Sequence, residues 1–184
     1  MLCAIFLCGC SDYREIDRGY LVNAIGIGFE NDKTNIFISA VSSSDIADNP
    51  YSPITLSAYG ENILDAYKNL QLQLEKPLYF EHLGTIVLED TNHLEFISFF
   101  AALPMVNPSA LVVKTPSCKS LFSNQDSYGL LGYDIIGIIK NYENQNKVNF
   151  THKMHQLDEL SLTSLPTIVL ENNALSLLER KEQL

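Results

Sequence analysis

The sequence predicts an α+β (or α/β) domain, with helices packed on a small mixed β-sheet that opens with an N-terminal hairpin. Three observations carry this expectation. Two apolar, β-rich runs at 21–29 and 34–41 flank the tetrad Glu30-Asn31-Asp32-Lys33, which has the spacing and turn chemistry of a hairpin. Further along, apolar residues at helical spacing alternate with short β-branched runs. Hydrophobic residues make up 46% of the 184 residues and aromatics 10%, enough to build the core of one ordinary domain.

The elements follow in order. In the second strand Ile36, Ile38 and Ala40 alternate with Asn35, Phe37 and Ser39, an imperfect period of two. Residues 42–57, with Pro50 and Pro53, read as a polar exposed loop. Gly60-Glu61-Asn62 is a helix start, after which Ile63, Ala66, Tyr67, Leu70 and Leu74 share a helical face and Pro77 ends the helix. Residues 78–80 and 85–88 form an extended stretch. A second helix is expected over 92–103, stopped by Pro104, then a strand over 110–114 and a short helix opened by Pro116 and running through Phe122. A last helix over 128–142 carries Leu131, Ile135, Ile138 and Ile139. The predicted order is β-β-α-β-α-β-α. After Asn144 the chain turns polar, and one more strand, 165–170, appears near its end. A segment this short cannot bury a core alone, so it either docks on the first domain or opens a second one.

Charge excludes several functions. Lys+Arg number 12 against 22 Asp+Glu, a formal charge of −10. Such a surface repels phosphate backbones, which argues against nucleic-acid binding. It also argues against adsorption to anionic lipid, so membrane attachment would have to be hydrophobic or covalent.

The start of the chain offers such an attachment. Residues 1–7 are apolar throughout, Leu7-Cys8-Gly9-Cys10 follows, and the sequence turns polar at Ser11-Asp12-Tyr13-Arg14-Glu15. A short apolar run ending in small residues is the shape of a secretory signal. Leu7-Cys8-Gly9-Cys10 resembles a lipobox, in which the thiol of the final cysteine is diacylglycerylated before cleavage beside it. The run is too short to span a bilayer. No Lys or Arg precedes Arg14, so either translation starts upstream of Met1 or the segment is a hydrophobic first strand. Once residues 1–9 are removed and Cys10 is acylated, Cys118 is left as a single thiol, read as a small buried hydrophobe.

Other motifs weigh toward structure. Gly26-Ile27-Gly28 lacks the third glycine and the following helix of a dinucleotide fingerprint, and reads as strand glycines that allow close packing. His152 and His155 would share a face on a helix, but no further ligands accompany them for zinc. His82 reads as a core or turn histidine donating to a backbone carbonyl. Glu81, Glu89, Asp90 and Glu95 could be imagined as paired carboxylates, yet solvated surface accounts for them in so acidic a chain. The face formed by Leu131, Ile135, Ile138 and Ile139 reads as core. No G-x-S-x-G element occurs, and no constellation calls for an enzyme or a cofactor.

Three blocks carry a resemblance to one family. The first runs from Gly9-Cys10-Ser11-Asp12-Tyr13-Arg14-Glu15-Ile16 to Leu21-Val22-Asn23-Ala24-Ile25-Gly26-Ile27. The second pairs Gly60-Glu61-Asn62-Ile63-Leu64-Asp65-Ala66 with Leu78-Tyr79-Phe80-Glu81-His82-Leu83-Gly84-Thr85-Ile86-Val87-Leu88. The third joins Phe99-Phe100, Ala110-Leu111-Val112-Val113-Lys114 and Ser120-Leu121-Phe122. In this order the blocks resemble the C-subunit lipoproteins of spore germinant receptors, often written GerAC or Ger(x)C. Two positions depart from the pattern: Ser11 stands where the family usually has Trp, and Ala101-Ala102 where a basic residue is usual.

The resemblance implies a lipid-anchored subunit, attached through Cys10, on the outer face of the spore's inner membrane. It also implies work alongside multi-spanning A- and B-type receptor subunits, helping nutrients to trigger germination without catalysis. On this expectation residues 1–10 are the signal peptide, complete or not, and 11–145 the N-terminal germination-protein domain. Residues 146–184 are then a linker and the start of a second domain, in a chain shorter than its family. Two alternatives stay open: a solute-binding or transport-accessory lipoprotein, and a truncated copy without function.

Overall fold

The computed structural model describes residues 19–43, 51–89, 95–103, 105–124, 129–148, 152–156 and 164–178. The expected hairpin is formed by β1, Tyr20–Glu30, and β2, Lys33–Ser43, paired antiparallel with Glu30 opposite Lys33. Its two-residue turn places Asn31 at φ 54° and Asp32 at φ 60°. Both lie in the left-handed region that Asn and Asp tolerate and that matches the twist of the strands.

The loop expected over 42–57 is corrected. Residues from 51 onward form β3, Tyr51–Gly60, antiparallel to β2 from Ser43↔Tyr51 to Thr34↔Gly60. Ile54, Leu56 and Ala58 turn inward while Thr55, Ser57 and Tyr59 stay exposed, a period of two that Pro53 masks in the sequence. β3 lies at the sheet edge, where proline is tolerated.

Helix α1, Ile63–Gln71, is capped by Asn62, whose side chain accepts the Asp65 N–H at 3.0 Å. The extended stretch divides into β4, Leu78–Tyr79, and β5, Thr85–Leu88. Then come α2, Glu95–Ala102, β6, Leu111–Lys114, α3, Cys118–Ser123, and α4, Leu131–Asn146. α4 thus runs four residues past its expected end at 142 and closes on Lys147 in the left-handed conformation. The last strand, β7, Thr167–Glu171, turns through Asn172 and Asn173 into an additional one, β8, Ala174–Leu178.

All eight strands join one mixed sheet in the order β3-β2-β1-β5-β6-β7-β8, with β4 beside the start of β1. β1, β5 and β6 run parallel, and hairpins extend the sheet on both sides. The strands alternate their side chains between two cores. Ile25, Ile27, Ile86, Leu88 and Val112 face α1 and α2, where Ala66, Leu70, Phe96 and Phe100 meet them. Ala24, Phe37, Val87, Leu111 and Val113 face α3 and α4 and pack on Leu121, Phe122, Leu131, Ile135 and Ile139. The result is an α+β fold, a mixed sheet covered on both faces.

Candidate functional site

Cys10, the predicted attachment site, lies outside the described residues, as does Asp90; nothing is described of the Glu95 side chain. The remaining candidates scatter. His82 is exposed in the turn closed by Leu83 N–H to Phe80 O at 3.0 Å; it is a turn histidine and not a core one. The two later histidines do not share a helical face. His152 precedes the 3-10 turn Met154–Gln156, and its Nε2 lies 2.8 Å from Ser164 Oγ. His155 Nδ1 donates to Pro108 O at 2.7 Å, so each imidazole is engaged locally. Among the described residues no three His, Cys, Asp or Glu side chains converge as a metal site would require.

The glycines of Gly26-Ile27-Gly28 do permit close packing. A Cβ on Gly26 would stand 2.5 Å from the Phe122 ring, which stacks on Phe37 with centroids 5.6 Å apart. Gly28 leaves room for the Glu89 carboxylate and for the Cys118 side chain. Cys118 is fully buried, its thiol donating to Ile27 O at 3.3 Å. Burial pushes that thiol well above its usual pKa, and the Glu89 charge adds to the shift.

The carboxyl ends of β1 and β5 thus bring together a polar group. Glu89 accepts the Phe29 N–H at 3.3 Å and the N–H of Cys118, the first residue of α3. Burial raises its pKa, those two N–H donors lower it, and the Glu30 charge raises it further. Glu30 is held below the usual carboxylate range by the hydrogen bond and charge of Lys119, whose Nζ donates to Oε1 at 2.9 Å. Tyr59 Oη also donates to Glu30 Oε2, at 3.2 Å. Among the described residues the acid whose charge acts on Glu89 is therefore Glu30. The reason is topological: parallel pairing of Ile27 with Leu88 sets the two strand ends side by side. Chemically the group ties strand ends to a helix start.

A second feature was partly legible. Asn23 sits at the β-bulge between Val22 and Ala24, where the extra residue turns its amide toward α4. Its Oδ1 accepts Ser39 Oγ at 3.1 Å and the Gly132 N–H at 2.9 Å. Thr85 Oγ1 donates to Gly132 O at 2.9 Å. These contacts fall within the Leu21-Val22-Asn23-Ala24-Ile25-Gly26-Ile27 block, so that block is the seat of α4. Of the predicted face on α4, Leu131, Ile135 and Ile139 are buried, and Ile138 is partly exposed.

Residues 12–170 match the family model described as the N-terminal domain of spore germination proteins. No curated protein and no solved structure matched the chain.

Proposed function

Because the chain belongs to the spore germination protein family and so has a germination-related role, we propose that it is a membrane-anchored, non-enzymatic subunit of a nutrient germinant receptor. Its attachment is a diacylglyceryl group on Cys10, and its place is the extracytoplasmic face of the spore's inner membrane. It takes part in triggering germination through contacts with the multi-spanning A- and B-type subunits. The observation that carries this reading is position: the family match starts at residue 12, two residues after the lipobox cysteine. Cys10 therefore stands where an anchor can hold the domain without entering it.

Mass spectrometry of protein extracted from the native membrane is expected to show the diacylglyceryl adduct on Cys10. Cys10→Ala is expected to move the protein to the soluble fraction and to weaken nutrient-triggered germination. An intact, unmodified 1–10 segment in the native host would end the anchoring reading. Germination unchanged by deleting the gene, in a strain without redundant receptors, would end the receptor reading.

A further inference from the structure

Asn35 is 1% exposed, yet its side-chain Oδ1 has no hydrogen-bond partner among the described residues. A buried polar atom left unpaired is costly and calls for a reason. Asn35 stands opposite Gly28 in the β1–β2 register, and the Cβ atoms of such cross-strand neighbours lie about 4.5–5.5 Å apart on one face. Gly28 has no Cβ, and the Glu89 carboxylate fills the place where one would be. The orphaned oxygen and a half-buried carboxylate therefore occupy neighbouring positions on the same face of the sheet.

Both residues line a cavity of about 200 Å³ together with Glu30, Phe37, Ser117 and Lys119. Lys119 is committed to Glu30, its Nζ donating to the two carboxylate oxygens at 2.9 and 3.3 Å. Those two charges cancel. Glu89 accepts two backbone N–H groups, and no cationic side chain among the described residues pairs with it. Ser117 Oγ accepts the Ser120 N–H at 3.2 Å and keeps a second lone pair. The cavity thus holds one carboxylate charge in excess and three oxygens able to accept more hydrogen bonds.

A primary ammonium carries one positive charge and three N–H donors. It matches that set: the Glu89 carboxylate, Asn35 Oδ1 and Ser117 Oγ accept, and a short alkyl stem rests against Phe37. A metal ion matches it less well. Among the described residues no three His, Cys, Asp or Glu side chains converge, and calcium takes about six to eight oxygens. The cavity is smaller than the roughly 300–1,000 Å³ of sites for larger ligands, so the stem is limited to a few carbons. Burial and the Glu30 charge raise the Glu89 pKa, and a cation beside the carboxylate would oppose both effects.

We infer that this cavity binds a small primary amine in its ammonium form, held between the Glu89 carboxylate and Asn35 Oδ1. The bound ion joins β2 to β5 across β1, and the site lies wholly within the folded domain, independent of any acylation at Cys10. The test uses the full chain in detergent micelles at about pH 8, where carboxylates are ionised and alkylammonium ions protonated. Methylammonium chloride is titrated at constant ionic strength while amide NMR spectra and the thermal midpoint are recorded. Expected are saturable shifts of the Asn35 side-chain amide and of the Phe29 and Cys118 N–H groups, with a midpoint that rises with concentration. Tetramethylammonium, which has the charge but no N–H, and potassium should produce neither. Glu89→Gln, which keeps the acceptor for both backbone N–H groups, and Asn35→Ala should each weaken methylammonium binding about tenfold or more. Shifts that are absent or do not saturate would overturn the inference, as would an equal response to tetramethylammonium or potassium, or parental affinity in both variants. Should a variant fail to fold, the comparison of methylammonium with tetramethylammonium on the parent chain decides the matter alone.

Discussion

The side-chain carbonyl of Asn23 accepts the backbone N–H of Gly132 at 2.9 Å, joining positions 109 residues apart. One amide at a bulge of the first strand thus seats the first turn of α4. The fit is tight from the other side too, because a Cβ on Gly132 would run into the backbone carbonyl of Asn23. Asn23→Ala would leave the buried Gly132 N–H and Ser39 hydroxyl without their acceptor. At roughly 1–3 kcal/mol for each of the two buried groups left unpaired, a loss of about 2–6 kcal/mol is expected in urea unfolding. Gly132→Ala should cost at least as much. Both should shift the urea midpoint with little change in its slope.

Gly26 and Phe122 make a second tight pair. Gly26→Ala would press a methyl against the aromatic ring, and overpacking of this kind costs about 1–3 kcal/mol. If the ring is the cause, Phe122→Leu should offset part of the loss. A double-mutant cycle on unfolding free energies is expected to show favourable coupling between the two changes of at least ~0.5 kcal/mol. Additive losses would mean that the glycine matters for another reason.

Cys118 predicts a pH dependence. Its thiol pKa is raised in the fold, chiefly by burial, above the unfolded value of about 8.5. The folded state thus favours the protonated thiol. That contribution is complete below the unfolded pKa and is lost as pH rises through the folded one. Stability is expected to fall from about pH 8.5 upward, and Cys118→Ala should flatten that slope relative to the parent. The same burial predicts that thiol reagents modify Cys118 only at the rate of unfolding.

Much of the fold was legible. The first hairpin could be read because Asn31 and Asp32 are among the residues that accept positive φ. α1 could be read because Asn62 is a capping residue ahead of an apolar face. β3 was hidden by Pro53 and the polar residues around it, although Ile54, Leu56 and Ala58 alternate inward. An edge strand needs only one set of partners, so a weaker pattern suffices. β8 was hidden because its short run of Leu and Ser carries no signal apart from the Asn172–Asn173 turn. The meeting of Glu89 with Phe29, 60 positions apart, follows from parallel strand pairing, which no local pattern encodes. The burial of Cys118 needed only the preference of an unpaired cysteine for the interior.

The seam between β6 and β7 divides the sheet energetically. Among the described residues only Lys114 and Thr167 stand in register across it, reinforced by Lys114 N–H to Pro166 O at 2.8 Å. β1 and β2, in contrast, share ten register pairs. The β7–β8 hairpin is therefore the part of the sheet with the weakest strand pairing to its neighbour. Its amides should exchange with solvent through a local opening of lower free energy than the one that frees β1 and β5. The terminal hairpin is thus tied to the domain less by sheet hydrogen bonds than by side chains, with Ile168 fully buried in the α3/α4 core and Leu170, Leu175 and Leu177 packed against it.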